Sequence, residues 1–435
     1  MERISNKSKL IDKRYLLPFI LVTSLFALWG FANDITNPMV AAFQTLMQLP
    51  ASEAALVQFA FYGGYATMAV PAALFIRRYS YKRGILIGLG LYAVGAFLFI
   101  PAAAQQSFAF FCVSLYILTF GLAFLETTAN PLILSLGSKE TATRRLNLAQ
   151  AFNPIGSLLG MSVASLVVLP NLISDKRDAA GNVIYNNLSA AEQAPIREHD
   201  LAIIRDPYVA LGLVVLTIFI VFLCVVIPNL QGQKNVRVDN RATLKNLWRN
   251  KHYRFGVVAQ MFYVAAQIMV WTFIIQYADN LGIDKAKAQN YNICAMVLFL
   301  CGRFVTTYLM RFCKSGTMLT VFGMGAIMAT LGTILIEGMV GLYCLVAISF
   351  FMSLMFPTIY GIALENVKRE DTSLGAAFLV MAIVGGALMP PLQGMVIDCG
   401  RLFGMPAVNV SYVLPLICFV VVTVYALGCR KIQKG

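Results

Sequence analysis

Twelve stretches of this chain stay apolar long enough to cross a lipid bilayer, and few sequence features restrict a fold more tightly. They run at about 15–46, 53–76, 84–104, 107–137, 144–169, 207–229, 254–279, 287–311, 316–337, 340–364, 372–397 and 410–429. Inside hydrocarbon every backbone N–H and C=O must be satisfied within the protein, so runs of about 20 apolar residues become helices. Of the 435 residues, 59% are hydrophobic and 12% charged, whereas soluble domains average roughly 45–50% and about 25%. The sequence therefore reads as an all-α membrane protein with twelve transmembrane helices. The first run has no small-residue cleavage site after it and reads as a retained helix.

The net charge of +14 belongs to membrane topology and not to nucleic acid. With the N-terminus inside, 26 of the 34 Lys and Arg fall on inner loops and tails, seven fall outside, and Arg303 lies within a helix. The positive-inside rule then places both termini in the cytoplasm, in keeping with an even number of crossings. The expected location is the bacterial cytoplasmic (inner) membrane, with the lipid bilayer as partner. Nine cysteines are scattered singly, with no spacing for a metal site or a disulfide framework.

A basic tail, residues 1–14, precedes six runs within 15–229. A polar linker, 230–253, separates these from six more within 254–435. On the outer side, Pro170–Asp206 is too charged to be embedded, and a short helix is expected there at 190–198. The turns R-R-Y-S-Y-K-R-G and M-R-F-C-K-S-G follow the second and eighth runs, an echo between the halves. Repeated six-helix halves are a transporter architecture with substrate bound near mid-membrane at their interface.

Of 20 acidic residues, only Asp34 and Glu126 lie deep within apolar runs. An acidic side chain at mid-membrane costs roughly 2.5–3.5 kcal/mol, so it normally faces a cavity and has a task. Satisfaction by neighbouring backbone or amides is the structural alternative. Glu126 sits in G-L-A-F-L-E-T-T-A-N-P, with Asn130 one turn on and Pro131 weakening the backbone ladder. The expectation is a partly broken helix lining a solute pathway. Asp34 sits in F-A-N-D-I-T-N-P, sharing a face with Asn37, and Pro38 is expected to open that helix.

Three further segments carry polar rows. Asn147, Gln150 and Asn153 form a stripe ahead of Pro154. Amides offer both donors and acceptors and suit neutral polyhydroxylated solutes, while interhelical amide bonding is the plainer reading. Gln260, Tyr263, Gln267 and Trp271 recur every three to four residues, an amide row beside aromatics that would match sugar hydroxyls and C–H faces. Packing is the commoner use of such a stripe. F-P-T-I-Y-G adds a Pro-broken segment with Tyr360 at the cavity. There is no G-x-x-x-x-G-K-[ST] phosphate loop, both histidines lie in loops, and no nucleophile–base pair or metal cluster is evident. An enzyme is not expected.

These blocks resemble the fucose–proton symporter family of the major facilitator superfamily over nearly the whole chain. The matching segments are F-A-L-W-G-F-A-N-D (Phe26–Asp34), F-L-E-T-T-A-N-P (Phe124–Pro131), R-L-N-L-A-Q-A-F-N (Arg145–Asn153), the Gln260–Trp271 stripe and G-R-F-V-T-T-Y-L (Gly302–Leu309). The resemblance implies a twelve-helix rocker fold and a monosaccharide, L-fucose first, carried with a proton. It implies a helix-four glutamate, here Glu126, coupled to a helix-one aspartate, and sugar contacts at Gln150 and Asn153. Helix one departs from the pattern. The family's best-known member has Asn-x-x-Asp where this chain has Asp34-x-x-Asn37, which moves the carboxylate one turn, about 4.5 Å along the axis.

The expected mechanism has Glu126 and Asp34 as the proton-coupling pair. Asn37, Asn130, Gln150, Asn153 and Gln267 bond sugar hydroxyls, with Tyr263, Trp271 and Tyr360 against its apolar faces. The co-transported proton replaces any resident cofactor, and a monomer suffices. Sodium coupling, galactose or glucose as cargo, and facilitated passage of another small polar solute are the rival readings.

Overall fold

The structure is a computed structural model that describes residues 10–11, 13–49, 56–174, 176, 184–225, 240–283, 285–368 and 370–432. Most of the tail at 1–14, and residues 230–239 of the linker, lie outside the described residues. Twelve described helical segments are long and apolar enough to span a membrane, six before the linker and six after it. This matches the expected all-α architecture, and the only sheet described is a two-residue hairpin, Arg401–Leu402 with Met405–Pro406.

Prolines divide the spans by position. The fifth span breaks at Ala151–Phe152, between Ala142–Gln150 and Asn153–Val163. The tenth breaks at Ser353–Leu354, between Met339–Met352 and Met355–Glu365. Pro154 and Pro357 each sit in the first turn after the break, where a missing N–H removes no ladder bond. The expected openings at Pro38 and Pro131 are not found. The first helix runs continuously over Leu16–Leu46 and the fourth over Phe108–Ser135. Pro131 lacks the N–H that would meet the Thr127 carbonyl, yet its helix continues another turn to Ser135.

The outer excursion also differs from expectation. Its short helix is the beginning of the sixth span, a single helix Ala190–Cys224 opened by a Ser189–Glu192 capping box. Asp200, fully buried, accepts from the backbone N–H groups of Ile173 and Ser174 at 3.0 and 2.8 Å. Tyr185 donates to the Leu46 carbonyl at 3.0 Å. These bonds tie the excursion to its own helices.

The chain groups into two compact units. One comprises Ser24–Thr128 and Ile155–Ile227; the other comprises Met1–Thr23, Ala129–Pro154 and Pro228–Gly435. In the first unit, small residues let helices touch backbone to backbone. A side chain at Gly121 would strike the backbone of Gly88 and Tyr92, and one at Gly156 the backbone of Ala27. Gly121 thus sets the fourth span, which bears Glu126, hard against the third.

In the second unit the end of the fourth span and the start of the fifth are tied to each other and to later helices. Arg145, fully buried, donates to the carbonyls of Ile133 (2.8 Å), Leu134 (2.6 Å) and Leu10 (3.1 Å) and to Thr141 Oγ1 (2.9 Å). It caps the carbonyl end of the fourth span, where a cation is favoured. Arg144 Nε donates to Thr307 O at 3.1 Å and Asn147 Nδ2 to Thr358 Oγ1 at 3.2 Å. Asn147 therefore does the plainer work allowed for it, bonding helices together.

Gly156→Val forces the fifth span off the first and should cost about 1–3 kcal/mol, lowering the unfolding midpoint in detergent. Gly90→Ala is the control, since its Cβ meets only the Phe219 ring edge at 4.0 Å. Equal midpoints for the two variants would contradict the close approach.

Candidate functional site

In the first unit the two deep carboxyls lie within electrostatic range of tyrosines on one helix. Asp34 is buried, and it lies within electrostatic range of Tyr62 on the second span. Glu126 is partly accessible although its neighbours Leu125 and Thr127 are fully buried, and it lies within electrostatic range of Tyr65. Tyr62 and Tyr65 are three residues apart and both buried, so one face of the second span serves both acids. The sequence reading missed these phenols, although the i,i+3 tyrosine pair was visible. The side chain of Asn37 lies outside the described residues.

The second unit gathers most of the polar and aromatic candidates around a residue set aside in the sequence. Gln150 Nε2 donates to Asn130 Oδ1 at 2.9 Å, and Arg303 Nη1 donates to Gln150 Oε1 at 3.2 Å. All three residues are buried. The Arg303 guanidinium stands over the Phe299 ring, 4.9 Å from its centroid. Phe299 meets Trp271 edge-on at 5.1 Å, and Trp271 Nε1 donates to Ser349 Oγ at 3.2 Å. Tyr263, in electrostatic range of Arg303, donates to Met352 O at 3.1 Å. Its ring neighbours Phe356, which stacks on the buried Tyr360.

Asn130, Gln150, Tyr263, Trp271 and Tyr360 are therefore members of one connected cluster. Gln267 and Asn153 are partly exposed. Gln260 differs from its stripe-mates. It is fully buried, and neither amide atom meets a partner.

Arg303 is the residue that most changes the reading. Among the described residues it joins no ion pair, and its Nε finds no acceptor. A buried cation without an anion is costly. Here the quadrupole of Phe299 and the Gln150 carbonyl oxygen offset part of that cost. The same arrangement commits both ends of the Gln150 amide, one to Asn130 and one to Arg303. Chemically the cluster offers amide donors and acceptors, an indole, two phenols and one fixed positive charge, a set suited to a polar, uncharged, hydroxyl-rich solute.

Twelve spans carrying carboxyls, amides and a guanidinium at depth define a polytopic membrane protein built like a solute carrier. The Major Facilitator Superfamily model matches residues 21–390. An L-fucose-proton symporter of Haemophilus influenzae is 62% identical over 427 residues, 98% of this chain and 100% of the relative. A glucose/galactose transporter of Brucella abortus is 30% identical over 419 residues, 96% of this chain and 95% of the relative. The crystal structure of FucP in the outward conformation is 33% identical, covers 96% of this chain and 99% of that one, and superposes with a TM-score of 0.86. The chain belongs to the major facilitator superfamily, a family of membrane transporters.

The Arg303–Gln150 bond should show as coupling in a double-mutant cycle. Arg303→Met with Gln150→Leu should cost less than the two singles together, by about 1.5–3 kcal/mol, the worth of a hydrogen bond to a charged group. Strict additivity of the unfolding midpoints would show that the bond contributes nothing.

Proposed function

We propose that this protein is a secondary active transporter that takes up L-fucose together with a proton by alternating access. The observation that carries the reading is the likeness to the Haemophilus influenzae L-fucose-proton symporter, which spans this chain nearly end to end. The amide and aromatic cluster around Gln150 supports it, because hydroxyls need paired donors and acceptors and sugar C–H faces need rings.

In this mechanism Glu126 is the principal proton site. An ionised carboxylate at depth is costly and a neutral one far less so. The group therefore loads a proton from outside and releases it where the opposite opening admits water. Asp34 is the second member of the coupling pair, bonding sugar hydroxyls or tuning Glu126. Asn37, Asn130, Gln150, Asn153 and Gln267 supply hydroxyl partners, with Tyr263, Trp271 and Tyr360 lining the apolar faces. Arg303 acts on Gln150 as a positioning residue, and sugar must take over one end of the Gln150 amide to bind it.

The six-helix halves within 15–229 and 254–435 rock between the two openings, with both termini in the cytoplasm and a monomer as the working unit. A proton entering through a bacterial inner membrane supplies about 2.3 kcal/mol per 100 mV and about 1.4 kcal/mol per pH unit. That is enough to concentrate a neutral sugar at least tenfold. The Brucella abortus relative favours glucose or galactose as second cargoes, at about half the identity.

Proteoliposomes test this directly. Labelled L-fucose should accumulate under an inward proton gradient and outcompete D-galactose and D-glucose, and its addition should alkalinise the medium. Exchanging sodium for choline should change nothing. Accumulation that follows sodium at fixed pH would instead assign the coupling to sodium.

A further inference from the structure

The described part of the linker is a helix that the transport reading leaves without a task. Asn240–Arg249 reads N-R-A-T-L-K-N-L-W-R, and its faces separate cleanly at 100° per residue. Thr243 and Leu247 face the protein, with Leu247 2% exposed and set beside Gly375. Asn246 Nδ2 lies 3.4 Å from Asp371 Oδ2, which fixes the helix against the start of the eleventh span, Thr372–Met381. With the rotation so fixed, Leu244 and Trp248 project one turn apart along a neighbouring face, 42% and 64% exposed. Arg241, Lys245 and Arg249 follow further round, and all are exposed.

The position of this helix identifies what covers it. Asn250 accepts from Tyr253 N at 3.1 Å and caps the seventh span, which starts at Lys251. On the first turns of that span, Phe255 and Val258 are exposed, 62% and 45%, and a membrane span turns such side chains toward acyl chains. Trp248 and Phe255 are seven residues apart, on the two helices that meet at Asn250, so the tryptophan stands close to the bilayer edge that the seventh span enters. An exposed indole at that depth sits at the headgroup level. The basic row beside it, on the same short helix, complements anionic lipid phosphates.

We infer that Asn240–Arg249 is an interfacial lipid-binding helix. Leu244 and Trp248 enter the headgroup layer of the adjacent leaflet, and Lys245 and Arg249, with Arg241 beside them, bind the phosphates of anionic phospholipids. A soluble protein partner is the competing occupant. It predicts a Trp248 that stays wet in vesicles of the purified protein.

The test uses the full chain in proteoliposomes whose lipids are brominated near the headgroup, with and without phosphatidylglycerol in a phosphatidylcholine background. Subtracting the signal of Trp248→Phe isolates Trp248 from Trp29 and Trp271. Its quenching should be at least about twofold greater with phosphatidylglycerol, and salt should reduce that preference. The combined variant Arg241→Gln, Lys245→Gln, Arg249→Gln should quench equally in both lipids. Should that variant fold poorly, the salt titration of the unmodified protein decides the same question. Trp248 left unquenched by lipid but open to aqueous iodide would overturn the inference. Equal quenching in the two lipids, insensitive to salt, would overturn it as well.

Discussion

A polar group that enters hydrocarbon must find its partner inside the protein, and this requirement shapes each distinctive part of the structure. Arg145 meets it by capping the carbonyl end of the fourth span with several bonds. Outside the apolar runs the same rule holds for a buried group, since Asp200 meets two backbone amides of the 170–206 excursion. Arg303 meets the requirement only in part, since its Nε finds no acceptor, and neither amide atom of Gln260 meets a partner. Asn130 Nδ2, beside Gln150, is likewise left without an acceptor, so this cluster holds polar atoms whose bonding the protein does not complete.

The spans were legible because hydrophobicity over about 20 residues is a long-range sum that local detail does not disturb. Helix breaks were legible in part. Pro154 and Pro357 mark real interruptions because each begins a new helical piece, whereas Pro38 and Pro131 lie inside helices that continue through them. Sequence cannot tell these cases apart, since whether a freed carbonyl is satisfied depends on tertiary neighbours. The outer helix at 190–198 was located, but its continuity with the sixth span was not, because the charged residues around Asp200 and Asp206 hide a helix that projects beyond the membrane.

The candidate site was legible through its acids and amides. Asp34 and Glu126 were found because a carboxyl in an apolar run is conspicuous. Arg303 satisfies the same criterion with the opposite sign and was set aside as a residual charge. Tyr62 and Tyr65 were overlooked because tyrosine is common in spans, and their role depends on which acids lie opposite. The bond from Gln150 to Arg303, 153 residues away in sequence, left no local trace at all. Nor did the grouping of Ala129–Pro154 with the C-terminal helices, which Arg144, Asn147 and Gln150 secure by bonds to the eighth and tenth spans.

Transport with a proton requires that one group carry charge in one opening and none in the other, while binding of the solute remains a separate matter. Glu126, partly accessible at depth and near a phenol, is the group assigned that duty. The most direct measurement compares Glu126→Gln with the unmodified protein in proteoliposomes under an inward proton gradient, recording both accumulation and gradient-free exchange of labelled L-fucose. If Glu126 carries the proton, the variant still exchanges sugar and accumulates none. A variant that concentrates L-fucose to the level of the unmodified protein would contradict that assignment.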